Sequence, residues 1–179
     1  MYHNYLKIVL TILIGIIFLT MVGCGFSPYP GYSLPTSFKK IYYQKVNSYE
    51  LLDVEMRRQL RRYGIVLVPT PNSDAPILNI EHNYTYNPSG YASSSQARIY
   101  ELTYEASVAI DDYNHCPLMG PELVTVSHNV ILQPNEVFDA TPRIDLVKAA
   151  MRMELLNRIF YILNSPRIIS VLNKHYHEN

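Results

Sequence analysis

Three stretches of strict apolar and polar alternation constrain this chain more than any other feature. They cover residues 78–86, 98–110 and 124–132. Side chains alternate between the two faces of a β-strand, so each stretch predicts a strand with one apolar and one polar face. Such strands belong to antiparallel sheets that are covered on one side and face water on the other. The polar segments 87–96 and 114–121 are then the predicted hairpin connections.

Two amphipathic helices are predicted beside these strands. The first follows a predicted strand at 38–46. Asn47 fits its N-cap, Glu50 completes a capping box, and Gly64 suits the left-handed conformation that ends a helix. Thr141 fits the N-cap of the second helix, and Pro142 its first helical position.

The spacing of apolar residues sets the buried faces of these helices. The rows are Tyr49, Leu52, Met56, Leu60 and Tyr63 in the first helix, and Leu146, Ala149, Met153, Leu156, Phe160 and Leu163 beside Ile144, Val147, Met151, Leu155 and Ile159 in the second. Such rows recur at three and four residues, as a helix that lies on a sheet requires. The order strand, helix, three strands, helix predicts an α+β fold in which two helices pack on one face of a four-stranded, mostly antiparallel sheet.

Four arginines crowd the last turns of the first predicted helix. They are Arg57, Arg58, Arg61 and Arg62. Cations near a helix C-terminus offset the macrodipole by about 0.3–1 kcal/mol each, and we favour this interpretation. A patch for lipid phosphates is the alternative.

The N-terminal segment is typical of a secretory leader. Residues 8–22 form an uncharged run of 15 residues, which is shorter than the roughly 20 of a membrane span and suits a signal peptide. The string MVGC at 21–24 resembles a bacterial lipobox, with Met21 in place of the usual leucine. The resemblance implies cleavage of residues 1–23, a thioether-linked diacylglycerol on Cys24, and an acyl chain on its amine. An uncleaved signal anchor is the alternative.

The remaining chain divides by composition. Residues 24–36 are rich in proline, glycine and serine and are predicted to be a lipid-anchored tether, and 37–164 form the folded domain. Residues 165–179 are predicted to be a C-terminal tail with a short helical turn. Cys116 is expected to be a free thiol in a loop, because Cys24 would carry the lipid.

Charge and motifs exclude several classes of protein. The formal net charge is 0, which argues against a nucleic-acid-binding protein, because such proteins need a basic face. The sequence lacks the nucleophile elbow, the P-loop, the dinucleotide fingerprint and the H-E-x-x-H motif. We therefore predict no enzyme, no catalytic residue and no metal site. His82 and His128 lie on the apolar side of their strands, where a metal pair is the alternative to satisfied core or rim histidines.

Tyrosines cluster around the first predicted hairpin. The chain has 16 tyrosines, and those near the hairpin are Tyr84, Tyr86, Tyr91, Tyr100 and Tyr104. Tyrosine is favoured where one end of the ring is buried and the other is wet, as at interfaces. Tyr86 and Tyr91 are therefore candidate partner contacts, whereas core packing is an equal alternative for Tyr100 and Tyr104.

Several segments in order resemble a known family. They are CGF at 24–26, LPTSFKKIYY at 34–43, LLDVEMRRQLRRYGIVLV at 51–68, two long tyrosine-rich strands, VSHNVIL at 126–132 and AAMRMELLNRIFYIL at 149–163. Together they resemble LptE, the family of lipopolysaccharide-assembly lipoproteins of the Gram-negative outer membrane. The segment SPYPGY after CGF departs from the family, which often has a Leu-Arg pair there.

The resemblance implies a function and its partners. LptE-type proteins plug the outer-membrane β-barrel LptD, and the pair inserts lipopolysaccharide into the outer leaflet. The absence of Asp after Cys24 implies, again by resemblance, sorting to the outer membrane. Arg98 and Arg143 are candidate lipopolysaccharide contacts, and the covalent lipid on Cys24 takes the place of a cofactor. The alternative is an accessory lipoprotein of a periplasmic lipid-transport complex with a similar fold.

Overall fold

The alternating stretches form one long antiparallel ladder at the centre of the fold. The computed structural model of the protein describes residues 38–44, 50–91, 97–133 and 141–177. The elements in chain order are β1 (Lys40–Gln44), α1 (Leu51–Arg62), β2 (Val66–Leu67), β3 (Ile77–Tyr91), β4 (Arg98–Asp111), β5 (Pro117–Leu132), α2 (Thr141–Leu163) and α3 (Pro166–His177). The leader, the tether with Cys24, and Asn47 lie outside the described residues.

The sheet is mixed and has five strands in the order β2-β1-β3-β4-β5. Strand β1 runs parallel to both β2 and β3, whereas β3, β4 and β5 are antiparallel to their neighbours. The prediction of an α+β fold with helices on a mostly antiparallel sheet is confirmed. The described part contains one more strand and one more helix than the four strands and two helices expected.

The central strands run further than the alternation of apolar residues indicates. Strand β3 pairs with β4 from Ile77 opposite Asp111 to Tyr91 opposite Arg98, with one irregularity near Pro88. The predicted connection at 87–96 was therefore too long on its N-terminal side. Paired polar residues continue a ladder by backbone hydrogen bonds alone, and they leave no periodic apolar signal.

The second connection is a short turn between Asp111 and Pro117. The carboxylate of Asp112 accepts hydrogen bonds from the backbone N–H groups of Asn114 and Cys116, each at 2.8 Å. Strand β5 then begins at Pro117, inside the predicted connection at 114–121. Cys116 is a free, exposed thiol, as expected.

The core lies between one sheet face and the helices. On the covered face of β4, Leu102, Ala106 and Val108 are at most 1% exposed. Helix α2 contributes the buried residues Met151, Leu155, Leu156, Ile159, Phe160 and Leu163. Leu146 and Met153 were expected on the same face but are 72% and 38% exposed, so this predicted row is fully buried only from Leu156 onward.

Helix α1 begins three residues later than predicted from the capping box. Glu50 is itself the N-cap, with an extended backbone and no side-chain capping hydrogen bond, so its assignment to the third helical position was wrong. The C-terminal end is as predicted, since Gly64 has φ of +77°, a conformation that glycine adopts without steric cost.

Residues 166–177 form a regular helix rather than a tail with a short turn. Ile168 and Leu172 of α3 are 3% and 1% exposed and belong to the hydrophobic core. The folded part therefore extends beyond the boundary at 164. Of the described helices, none combines the length and the apolar character needed to span a membrane.

A buried polar cluster joins α1 to two strands. Asp53 is 0% exposed and accepts a hydrogen bond from the hydroxyl of Tyr43 on β1. His82 on β3 places Nε2 2.9 Å from Oε2 of Glu50 and 4.0 Å from Oδ1 of Asp53. Burial, and then the bond to Asp53, raise the pKa of Tyr43, so this hydroxyl keeps its proton and remains a donor. His82 is thus a satisfied core histidine whose carboxylate partners come from a helix.

Replacement of Tyr43 by phenylalanine tests this cluster. Tyr43→Phe removes a donor from a buried carboxyl group, so we expect the free energy of unfolding to fall by about 1–3 kcal/mol. Urea denaturation monitored by circular dichroism measures the change. Tyr42→Phe is the matched control, because Tyr42 lies on the opposite side of the same strand, and it should change stability little. Equal losses in the two variants would contradict the assignment.

Candidate functional site

The predicted tyrosines come together on the paired ends of β3 and β4, residues 84–91 and 98–104, here termed the tyrosine hairpin. Tyr84 lies directly opposite Tyr104, and their ring centroids are 5.5 Å apart. Tyr86 stacks on Tyr100 with a centroid distance of 4.7 Å and an interplanar angle of 6°. The rings form a continuous ladder along the face that also carries the helices.

Exposure increases along this ladder from its base to its tip. Tyr104 is 7% exposed, Tyr86 38% and Tyr91 70%. Tyr104 is therefore a core residue, whereas Tyr86 and Tyr91 present aromatic surface to solvent. Desolvation is the main cause that raises the pKa values of Tyr86 and Tyr104, so both hydroxyls stay neutral. The hydroxyl of the exposed Tyr86 can then donate a hydrogen bond to a partner.

The candidate arginines lie at the same end of the sheet as the hairpin tip. The Arg98 guanidinium is 5.9 Å from the ring centroid of Tyr91, its partner across the ladder. Arg143 is exposed in the first turn of α2. Five residues further on, Lys148 places Nζ 4.1 Å from the ring centroid of Tyr84, which locates the start of α2 beside the hairpin. The Lys148 contact could not be predicted from the sequence, because it depends on how α2 crosses the sheet.

The opposite face of the sheet is polar and carries none of the described helices. Its residues include Glu81, Asn83, Ser127 and Asn129, all of them exposed. The hydroxyls of Thr103 and Ser127 are 3.1 Å apart across the strands. This surface, here termed the open face, offers hydroxyl, amide and carboxylate groups side by side, as the alternation in the sequence predicted.

The outer edge of β5 is held by a surface cluster from α2. The Arg158 guanidinium donates to the backbone carbonyl of Thr125 at 2.8 Å and to Glu154 at 2.7 Å. Glu154 also contacts Nε2 of His128 at 3.0 Å. A side chain on an edge carbonyl blocks one position at which another strand could pair. The spacing of Glu154 and Arg158 by four residues is a helical ion-pair signal that could have identified this cluster from the sequence.

His82 and His128 belong to different clusters. His82 on β3 lies opposite Ala106 of β4, and His128 on β5 lies opposite Leu102, four positions further along β4. Strand β4 therefore separates the two histidines. His128 is a rim histidine with a side chain 45% exposed. Within residues 38–44, 50–91, 97–133 and 141–177, no group of three or more histidine, cysteine or acidic residues is placed to hold a metal ion.

The Glu154 cluster gives stability an acid-sensitive component. The hydrogen bond with His128, followed by that with Arg158, lowers the pKa of Glu154 from its usual 4.5. The contribution is therefore present above about pH 4.5 and is lost as pH falls through the lower folded-state pKa. Glu154→Gln should flatten the decline of unfolding free energy below about pH 4.5, as measured by denaturation at a series of pH values. Glu122→Gln is the control, because Glu122 is an exposed carboxylate on the edge strand β5, and this variant should show the same decline as the wild type. A Glu154→Gln variant whose decline equals that of the wild type would refute the coupling.

Three solved structures share this fold. A minor lipoprotein from Acinetobacter baumannii matches with a TM-score of 0.59 and 15% identity over 73% of this chain and 95% of its own. The rare lipoprotein B from Shewanella oneidensis matches at 0.59 and 19%, over 69% and 92%. The solution structure of an uncharacterized lipoprotein B from Nitrosomonas europaea matches at 0.63 and 13%, over 82% and 92%.

The similarity is one of fold, and it covers 92–95% of the length of each of these three chains. No protein-family profile matches this sequence, and no curated protein sequence matches it. The structural neighbours are rare lipoprotein B and minor lipoprotein structures. The chain therefore shares the fold of these lipoproteins, which agrees with the resemblance seen in the ordered sequence segments.

Proposed function

We propose that this protein is an LptE-type outer-membrane lipoprotein that plugs an LptD-type β-barrel, assists its assembly and takes part in the insertion of lipopolysaccharide into the outer leaflet. The observation that carries the proposal is the shared fold, which coincides with the ordered LptE-like segments and a lipobox-like string at Cys24. We assign the protein no catalytic role.

The two faces of the sheet suit a plug. The lumen of a wide outer-membrane barrel is polar, so a protein inside it needs a surface whose polar groups pair with water or with lumen side chains. The open face provides such groups over three long strands, while the apolar face is covered by the protein's own helices. A plug of this design stays folded outside the barrel and still presents a polar surface to the wall.

The tyrosine hairpin supplies the proposed contacts. Tyr91 is a large exposed ring beside a cation, and aromatic residues and arginine are the residue types that contribute most at protein interfaces. We propose Tyr86 and Tyr91 as barrel contacts. Arg98 and Arg143 remain candidates for lipopolysaccharide phosphates, because a guanidinium can bind phosphate through two parallel hydrogen bonds.

The anchor is tested at the N-terminus of the mature protein. If Cys24 is lipidated, mass spectrometry of protein extracted from membranes should find a chain that begins at Cys24 with added diacylglycerol and acyl mass. Cys24→Ser should abolish this modification and remove the protein from the outer-membrane fraction, since several buried acyl chains are needed for durable attachment. A wild-type protein that retains residues 1–23 would instead establish the uncleaved signal anchor.

The partner is tested by affinity purification of a tagged copy from detergent-extracted membranes. A large β-barrel should co-purify with the wild type. Tyr91→Ala should weaken this association about tenfold or more, as expected for an exposed aromatic anchor. Tyr113→Ala is the control, because Tyr113 is 46% exposed but lies in the turn at the other end of the sheet. Recovery with no barrel partner would overturn the proposal, and recovery with an inner-membrane complex would establish the accessory lipoprotein of a periplasmic lipid-transport complex.

A further inference from the structure

The outer side of α1 carries four arginines within six residues, here termed the arginine ridge. They are Arg57, Arg58, Arg61 and Arg62. Arg58, Arg61 and Arg62 are exposed, and Arg57 is half-buried. The inward side of the same helix holds Leu52, Met56 and Leu60, each at most 1% exposed, so the three exposed arginines of the ridge point away from the core.

The helix macrodipole accounts for only part of this cluster. Its field acts within the last turn of a helix, and the basic residues of that turn are Arg61 and Arg62. Arg57 and Arg58 lie one turn earlier. They stand four residues before Arg61 and Arg62, at the spacing where like charges repel and destabilise a helix. An external anion bound between these arginines would relieve the repulsion.

The described protein provides the three exposed arginines of the ridge with little neutralising charge. Two arginines on α2 have carboxylate partners, Glu55 for Arg152 and Glu154 for Arg158. In the described ranges, Arg58, Arg61 and Arg62 form no ion pair with a carboxylate. The nearby Asp53 is fully buried on the inward side of α1, where it accepts from Tyr43.

Two clefts flank the ridge. One has a volume of about 870 Å³ and is lined by Arg57 and Arg61 together with His115 and polar residues of β1. The other, of about 520 Å³, is lined by Val54 and all four arginines. None of the described residues that line either cleft is acidic. Both clefts therefore present guanidinium groups, with room for an anion on each side of Arg57 and Arg61.

Exposed apolar residues precede the arginines along the same side of α1. Leu51 and Val54 are 58% and 46% exposed, and with Arg58 and Arg61 they recur at spacings of three, four and three. Apolar side chains followed by basic ones along one helix side are typical of segments that lie at a lipid interface. This arrangement favours a phosphate on a lipid over a soluble phosphate.

We propose that the arginine ridge binds the phosphate groups of an anionic phospholipid surface. The planar guanidinium fork matches two phosphate oxygens, and Leu51 and Val54 contact the apolar region beneath the headgroups. Arg98 and Arg143 lie at the other end of the sheet, so this site is separate from the proposed lipopolysaccharide contacts.

The test uses the full chain in micelles of a non-ionic detergent. Phosphatidylglycerol is added to the micelles, and the melting temperature is followed at low ionic strength. A ligand that binds the folded state raises the melting temperature with its concentration. We expect phosphatidylglycerol to raise it and phosphatidylcholine to leave it nearly unchanged. Sodium chloride at the same ionic strength shows how much of the effect is simple screening of the arginines.

A double variant assigns the effect to the ridge. Arg58→Gln/Arg61→Gln should weaken the apparent affinity for phosphatidylglycerol roughly 30-fold, as expected for the loss of two cations at an anionic surface. Glutamine is a good helix former, so the helix is retained. Arg167→Gln/Lys174→Gln is the matched control, because it removes two exposed cations from α3, and it should keep the wild-type affinity.

Three results would overturn the inference. The first is an equal response of the ridge variant and the wild type, and the second is a full response to matched sodium chloride. The third is a response to inorganic pyrophosphate as large as that to phosphatidylglycerol, which would assign the ridge to soluble phosphates. Because the micelles contain no barrel and the assay does not require lipid on Cys24, these outcomes are independent of the proposed partner and anchor.

Discussion

The fold depends on the burial of one face along three long strands. On β3, β4 and β5 the even-numbered positions are apolar over most of their length, and a face of that size must be excluded from water. The three helices of the described residues meet this requirement from the same side, and α2, the longest of them, crosses both β4 and β5. The polar face is then left open. A protein that acts as a plug needs this asymmetry, because its own core must be complete before its polar surface meets a partner.

The buried carboxyl group of Asp53 fixes how α1 lies on this sheet. A buried polar group needs hydrogen-bond partners, and those for Asp53 and Glu50 lie on two different strands, at Tyr43 and His82. These contacts set the rotation of α1 about its axis. Successive residues of an α-helix are rotated by about 100° around its axis, so when Asp53 faces the core, Arg58 and Arg62 face solvent. The arginine ridge is therefore a consequence of a polar contact in the core, and the two features cannot be varied independently by rotating the helix.

The sequence predicts those parts of the fold that carry a periodic signal. The three alternating strands, the core stripe of α1 and the glycine at its end were all predictable, since each follows from local geometry. Strand β2 was not, because Val66 and Leu67 are too few to show a period, and its parallel pairing with β1 depends on the whole sheet. Helix α3 was missed although Ser165 and Pro166 form a recognisable helix start. At the candidate site, composition identified Tyr86 and Tyr91, but the stacking on Tyr100 and the Lys148 contact required the register of the ladder and the path of α2.

The two ends of the sheet have different chemistry and are far apart. Strand β4 has 14 residues, and at about 3.3 Å per residue it separates the tip of the tyrosine hairpin from the opposite end of the sheet by about 40 Å. That distance is several times the Debye length of about 8 Å at physiological ionic strength, so charge bound at one end has little effect at the other. An anionic membrane surface at the ridge would therefore not compete with a partner at the hairpin. The length of the ladder thus allows one small domain to hold a lipid surface at one end and to present aromatic and basic side chains to a protein or a phosphorylated lipid at the other.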